Sequence, residues 1–191
     1  EFSSDFGIRE ELRQARRKKL IFDCDRNLAD LNYTIVLQAI RDSKFELQED
    51  QELQDRFTSA EILQEADSMI ARQEYVGMVE FLQQQLERLP RPEFEKYLER
   101  KKKDIVQDLI ETGDGFIQEG RVADALAKFT VALNLDPKNI TAQGRLQSRL
   151  PELRSELRNL LEQAEEFSPG VEPVQEKLKD GAALLEDLKN F

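Results

Sequence analysis

VQDLIETGDGFIQEGRVADALAKFTVALNLDPKN, residues 106–139, decides the fold. Its apolar residues recur at three- and four-residue spacing on both sides of Gly120, so it predicts two helices and a turn. The first helix starts near Pro92, where proline suits the first turn, and ends by Gly120. Its apolar stripe is Phe94, Leu98, Ile105, Leu109 and Phe116. The second helix runs from about Val122 to Leu135 and stops at Asp136-Pro137, since proline cannot continue it. Gly120 stands at the turn, where a residue free to take positive φ is useful.

Working outward, the same helical pattern fills the chain. Thr58 and Glu61 have capping-box spacing and predict a helix from 58 to about Arg72. A partner helix from about Tyr75 stops at Leu89-Pro90. Residues 43–57 read as a weak helix or ordered connector anchored by Phe45, Leu47, Leu53 and Phe57. Asp5 to about Leu20 forms one helix, and Asp25 to Ile40 another, with Leu28, Leu31, Ile35 and Ala39 on one face. Tyr33 to Val36 has strand propensity, but no second strand exists to pair with it. Downstream, three shorter helices are expected at about 138–149, 152–167 and 172–189, the last two separated by Ser168-Pro169-Gly170. The expected fold is all-α, with antiparallel helix pairs joined by short turns.

Composition excludes several chemistries. The 191 residues include no His, a single Cys and no Trp, and 28 Lys+Arg stand against 39 Asp+Glu for a net charge of −11. Without histidine there is no Ser-His-Asp or Cys-His nucleophile pair and no His-ligated metal. The lone Cys24 makes neither an intrachain disulfide nor a thiolate zinc site, and reads as a small core residue. Paired carboxylates such as Glu165/Glu166 carry no acid–base signature at this composition. No enzyme, cofactor or metal is therefore expected. The acidic balance argues against nucleic-acid binding, and no apolar run approaches a membrane span. The first residues, Glu1-Phe2-Ser3-Ser4, suggest a processed chain or a fragment. Localisation stays open: cytoplasmic is favoured, with periplasmic or tethered as alternatives.

Other motifs have plain readings. Asp23-Cys24-Asp25-Arg26-Asn27 has the alternating spacing of a calcium loop, but Leu28 stands where the turn needs Gly and Thr34 where the bidentate Glu belongs. The basic runs Arg16–Lys19 and Arg100–Lys103 read as solvated helix faces paired with nearby Glu. Asn32-Tyr33-Thr34 and Asn139-Ile140-Thr141 are formal glycosylation sequons on or beside packed helices.

Segment 106–139 resembles a tetratricopeptide repeat, a two-helix unit of about 34 residues. Leu109 matches the family's first large apolar residue, Gly113 its small residue, Phe116 its aromatic and Gly120 its turn. Ala125, Phe129 and Ala132 match the second helix's packing face, and Asp136-Pro137 the terminus; Thr112 departs from the usual Leu. A degenerate copy at 59–92 carries Ile62, Ala66, Met69, Gln73, Tyr75, Met78, Leu82 and Pro90, with Met78 and Gln85 in place of two alanines. The resemblance implies a helical-repeat (solenoid) architecture with extra flanking helices. Residues 1–57 would pack on or cap the repeats, 58–139 would hold them, and 140–191 would form C-terminal caps.

The same resemblance implies a concave groove that binds an extended peptide or a partner helix. Its positions would be Gln107, Ile110, Asp114, Ile117 and Gln118 in the better copy, and Ala60, Leu63, Asp67, Ile70 and Ala71 in the other. Family members that clamp a C-terminal carboxylate use Lys and Asn at such positions. Here Ile110 and Leu63 replace the Lys, and Asp114 and Asp67 the Asn, so no carboxylate clamp is expected. Two acids over an apolar floor predict a ligand carrying basic and apolar residues. The plain alternative is that Asp67 and Asp114 are solvated helix residues. Two roles follow: a peptide-binding adaptor, or a structural subunit whose helices dock into a larger complex or a homo-oligomer.

Overall fold

The computed structural model describes residues 2–43, 45 and 47–167. Among them are seven α-helices: α1 (Phe2–Ala29), α2 (Tyr33–Asp42), α3 (Gln51–Ala71), α4 (Tyr75–Arg88), α5 (Pro92–Gln118), α6 (Val122–Leu135) and α7 (Ile140–Phe167). A 3₁₀ turn, Leu47–Glu49, precedes α3. The all-α expectation holds, and no strand occurs among the described residues. The chain divides into two compact units, Glu1–Lys101 and Lys102–Phe191. The division falls inside α5, within the segment read above as the repeat region.

Several of the helix boundaries differ from expectation. Residues 25–40 are not one helix, because α1 ends at Ala29 and the chain reverses through Asp30, Leu31 and Asn32 into α2. A straight helix would spread Cys24 and Ile40 over about 24 Å. Folding back lets Cys24 and Leu28 of α1 join Val36, Leu37 and Ile40 of α2 in burial.

Thr58 does not open α3. Asp50 does, accepting from the Leu53 amide at 3.2 Å, while Ser59 and Ala60 lie fully buried inside the helix. Arg17 of α1 donates to both Asp50 carboxylate oxygens at 2.5 and 2.7 Å, and to Glu52 at 2.5 Å. One member of the basic run is thus the clamp on the start of α3. Its guanidinium holds the Asp50 carboxyl below the usual carboxylate range.

Residues 140–167 form one helix, with Pro151 inside it. Ala142, Leu146 and Leu150 bury one face of α7, and α7 packs along α6. Pro151 sits exposed on another side, so its missing amide costs a helix bond without disturbing the packed stripe. The helix expected at 172–189 lies outside the described residues.

The expected helix end near Leu20 is also absent, since α1 runs unbroken to Ala29, whereas α4, α5 and α6 begin and end within a residue or two of their expected limits. In the second unit the Gly113 backbone of α5 faces the Phe129 ring of α6. A Cβ on Gly113 would lie 2.4 Å from Phe129 Cε1 and 2.8 Å from Cζ. Real Cβ atoms do not approach that closely, so the helix pair closes only because residue 113 has no side chain.

Two tests follow from these contacts. Gly113→Ala is expected to destabilise by about 1–3 kcal/mol through overpacking. Adding Phe129→Leu should recover part of the loss, as read from urea unfolding of each variant. An unshifted midpoint for Gly113→Ala would contradict the close approach. For Asp50, folding lowers the carboxyl's pKa, so its contribution is complete above the unfolded value of about 4 and fades as pH falls through the folded one. Wild type should therefore lose more stability than Asp50→Asn between pH 7 and pH 3; equal losses would remove Asp50 from the acid response.

Candidate functional site

The turn that closes α5 and α6 recurs. Leu31, Gln73 and Gly120 have φ of 62°, 61° and 75°, the only positive values among the described residues. At each, the residue's own amide donates three residues back: Leu31 to Leu28, Gln73 to Ile70 and Gly120 to Ile117. The next amide donates five residues back: Asn32 to Asn27, Glu74 to Met69 and Arg121 to Phe116. This is the Schellman arrangement, which satisfies the last carbonyls of a helix and turns the chain. In the third turn the Arg121 guanidinium also stacks 4.1 Å from the Phe116 ring centroid.

With these turns as a common origin, the side chains align. Seven residues before each positive-φ residue stand Cys24, Ala66 and Gly113, all small and all buried. Five and nine residues after it stand Val36 and Ile40, Met78 and Leu82, Ala125 and Phe129, all in the core. α1–α2, α3–α4 and α5–α6 are therefore three helix hairpins of one register. The first was not evident in the sequence, because Leu31 occupies a position where glycine is the usual signal. A recurrent pair was available as a signal: Cys24-Asp25, Ala66-Asp67 and Gly113-Asp114 each place a small residue before an aspartate.

Each of those aspartates meets a base from a later helix. Arg56 of α3 donates to both Asp25 oxygens at 2.8 Å. Lys101 Nζ lies 2.9 Å from Asp67, and Arg145 of α7 pairs with both Asp114 oxygens at 2.8 and 3.0 Å. Asp67 also accepts from the hydroxyls of Tyr33 and Tyr97. Those two rings meet edge to face with centroids 6.5 Å apart, and Lys101 Nζ sits 5.4 Å from the Tyr97 centroid. Burial and the Asp67 carboxylate together push the Tyr97 hydroxyl's pKa upward, so it remains a donor.

The expected groove positions fall into distinct environments. Leu63 is fully buried and Ile110 nearly so; both are core. Asp67 and Asp114 keep about a third of their side chains exposed, at 35% and 33%, but each already holds a cation of the chain. Ile70 and Ile117 are half-buried, and Gln107 and Gln118 are exposed, Gln107 donating to Glu111 at 2.6 Å. Ala60 lies in the core and Ala71 at the exposed end of α3. In the second unit, the expected positions that keep accessible surface are thus Gln107, Ile117 and Gln118, with the Asp114–Arg145 pair in register with them.

Among the described residues no group of His, Cys, Asp or Glu is placed to hold a metal ion, and no helix is long and apolar enough to cross a membrane. Cys24 is buried, and desolvation pushes its thiol up to about 11, away from the reactive thiolate. No protein-family model matches the chain, and neither a curated protein nor a solved structure does.

The two predicted acids should separate in a stability measurement. Asp67→Ala leaves the buried Tyr97 hydroxyl without its acceptor and is expected to cost about 1–3 kcal/mol. Asp114→Ala breaks a half-exposed pair and should cost less than about 1 kcal/mol. The charge swap Asp114→Arg with Arg145→Asp should recover stability over either single reversal. Wild-type stability in Asp67→Ala would show that the tyrosine network contributes nothing.

Proposed function

We propose that the chain is a non-enzymatic protein-interaction module built from tetratricopeptide-like helix hairpins, and that it binds a peptide or helical segment of a partner. The observation that carries this reading is the threefold recurrence of one turn with the same small residue, aspartate and two apolar positions around it. Recurrence of a supersecondary unit supports a repeat architecture, and such units commonly serve as binding surfaces. A sequence without histidine, whose lone thiol is buried and neutral, offers little to the alternative of an enzyme.

The ligand-facing residues in this reading are Gln107, Ile117 and Gln118 of α5. Apolar anchors on the partner would supply most of the energy. A basic partner was expected from Asp67 and Asp114, and that expectation has weaker support, because such a partner would compete with Lys101 and Arg145 for the same oxygens. A second reading, an assembly subunit, has its own observation: Ile8, Phe22 and Ile140 are large apolar residues at 63%, 65% and 83% exposure.

Affinity capture from native lysate with cross-link mapping tests the module. The wild-type chain is compared with an Ile117→Asp/Gln118→Arg variant. A partner lost by the variant and cross-linked along residues 107–118 is the expected result. Retention of every partner by the variant would sink the groove, and a self-associated chain without partners would favour assembly.

A further inference from the structure

We propose that the groove between α1 and the end of α2 is a docking site for an acidic amphipathic helix of a partner protein. The inference rests on reading the chain as an interaction module, but it uses none of the α5 groove residues.

The starting point is a mismatch of helix lengths. At about 1.5 Å per residue, the 28 residues of α1 span about 42 Å while the ten of α2 cover about 15 Å. The turn at Leu31 pairs α2 with the C-terminal part of α1. The N-terminal part runs on past the end of α2, and Gly7 to Arg16 are all exposed. Where α2 stops, a groove of about 660 Å³ opens. Leu12, Leu20 and Phe45 give it apolar surface, and Arg13 and Arg16 line it from α1.

Charge decides the occupant. Arg13, Arg16 and Leu20 follow one another at three- and four-residue spacing, so two guanidinium groups share one face of α1 with Leu20. That is a concentrated positive strip on a chain of net charge −11. The strip borders Leu12, which is 51% exposed although apolar. A ligand complementary to it carries carboxylates along one edge and apolar residues along the next, at helical spacing. Asp42 lines the far side of the groove and sets polarity there, favouring a neutral or basic edge on the ligand. An anionic membrane fits less well. Glu10 and Glu11 are exposed on other faces of the same helix, and Asp42 stands within the site.

The test uses the whole chain and two fluorescein-labelled 20-residue helical peptides. Both carry Leu at i, i+3, i+4 and i+7; one is flanked by Glu and the other by Lys. Saturable anisotropy binding of the Glu peptide is expected, weakened at least about tenfold in Arg13→Glu/Arg16→Glu, with the Lys peptide gaining on that variant. Leu12→Asp should weaken the Glu peptide as well, and thermal melts would confirm that both variants stay folded. Equal affinity for the two peptides, or indifference to the charge reversal, would overturn the proposal. So would binding to phosphatidylserine vesicles in preference to the Glu peptide. Ile117→Asp/Gln118→Arg should leave Glu-peptide binding intact, so failure of this groove and failure of the α5 surface are separate results.

Discussion

The hairpins depend on how closely two helices approach beside a left-handed turn. A Schellman turn reverses the chain in three residues, which forces the helices it joins into contact within about two turns of the reversal. Only a small residue fits at the crossing. At Gly113 the constraint is visible as a Phe129 ring lying where a Cβ would be. Ala66 and Cys24 occupy the same register and are buried to the same degree. Once that crossing is set, the positions five and nine residues beyond the turn must face inward. Val36 and Ile40, Met78 and Leu82, and Ala125 and Phe129 are core because the turn geometry puts them there.

The aspartate after each small residue performs a different task. It stands where the first helix of a hairpin is approached by a later one, and in each case it draws in a base: Arg56, Lys101 or Arg145. The three sites differ in how much else is committed. Asp25 has one bidentate arginine, as does Asp114. Asp67 is tied in addition to two tyrosine hydroxyls, one of them on a ring with almost no exposed surface. An acid with so many donors is a structural centre first, and its freedom to meet a ligand is correspondingly small.

Much of the fold was legible because it rests on local rules. The α4, α5 and α6 limits follow from Tyr75, Pro92, Gly120 and Asp136-Pro137, each a start or stop signal in its own right. The errors were of one kind. Leu31 turns the chain without glycine, so nothing at that residue announces the break between α1 and α2. Pro151 announces a break that does not occur, because the packed stripe of Ala142, Leu146 and Leu150 carries α7 past it. Thr58 and Glu61 have the spacing of a cap, yet Asp50 had already opened the helix with Arg17 holding it. In each instance a contact from another element overruled a local preference.

The sequence by itself determined that this chain is helical, acidic and without histidine chemistry, since periodicity, charge and composition need no partner to be read. It also marked Asp67 and Asp114 as unusual. Tertiary structure alone decided what those acids do, because an aspartate's role depends on which cation reaches it. Arg145 lies 31 residues from Asp114, and Lys101 34 from Asp67. The same holds for α1. Its run Arg16–Lys19 reads as an ordinary solvated face until folding places Leu20, Phe45 and Asp42 around the same groove as Arg13 and Arg16.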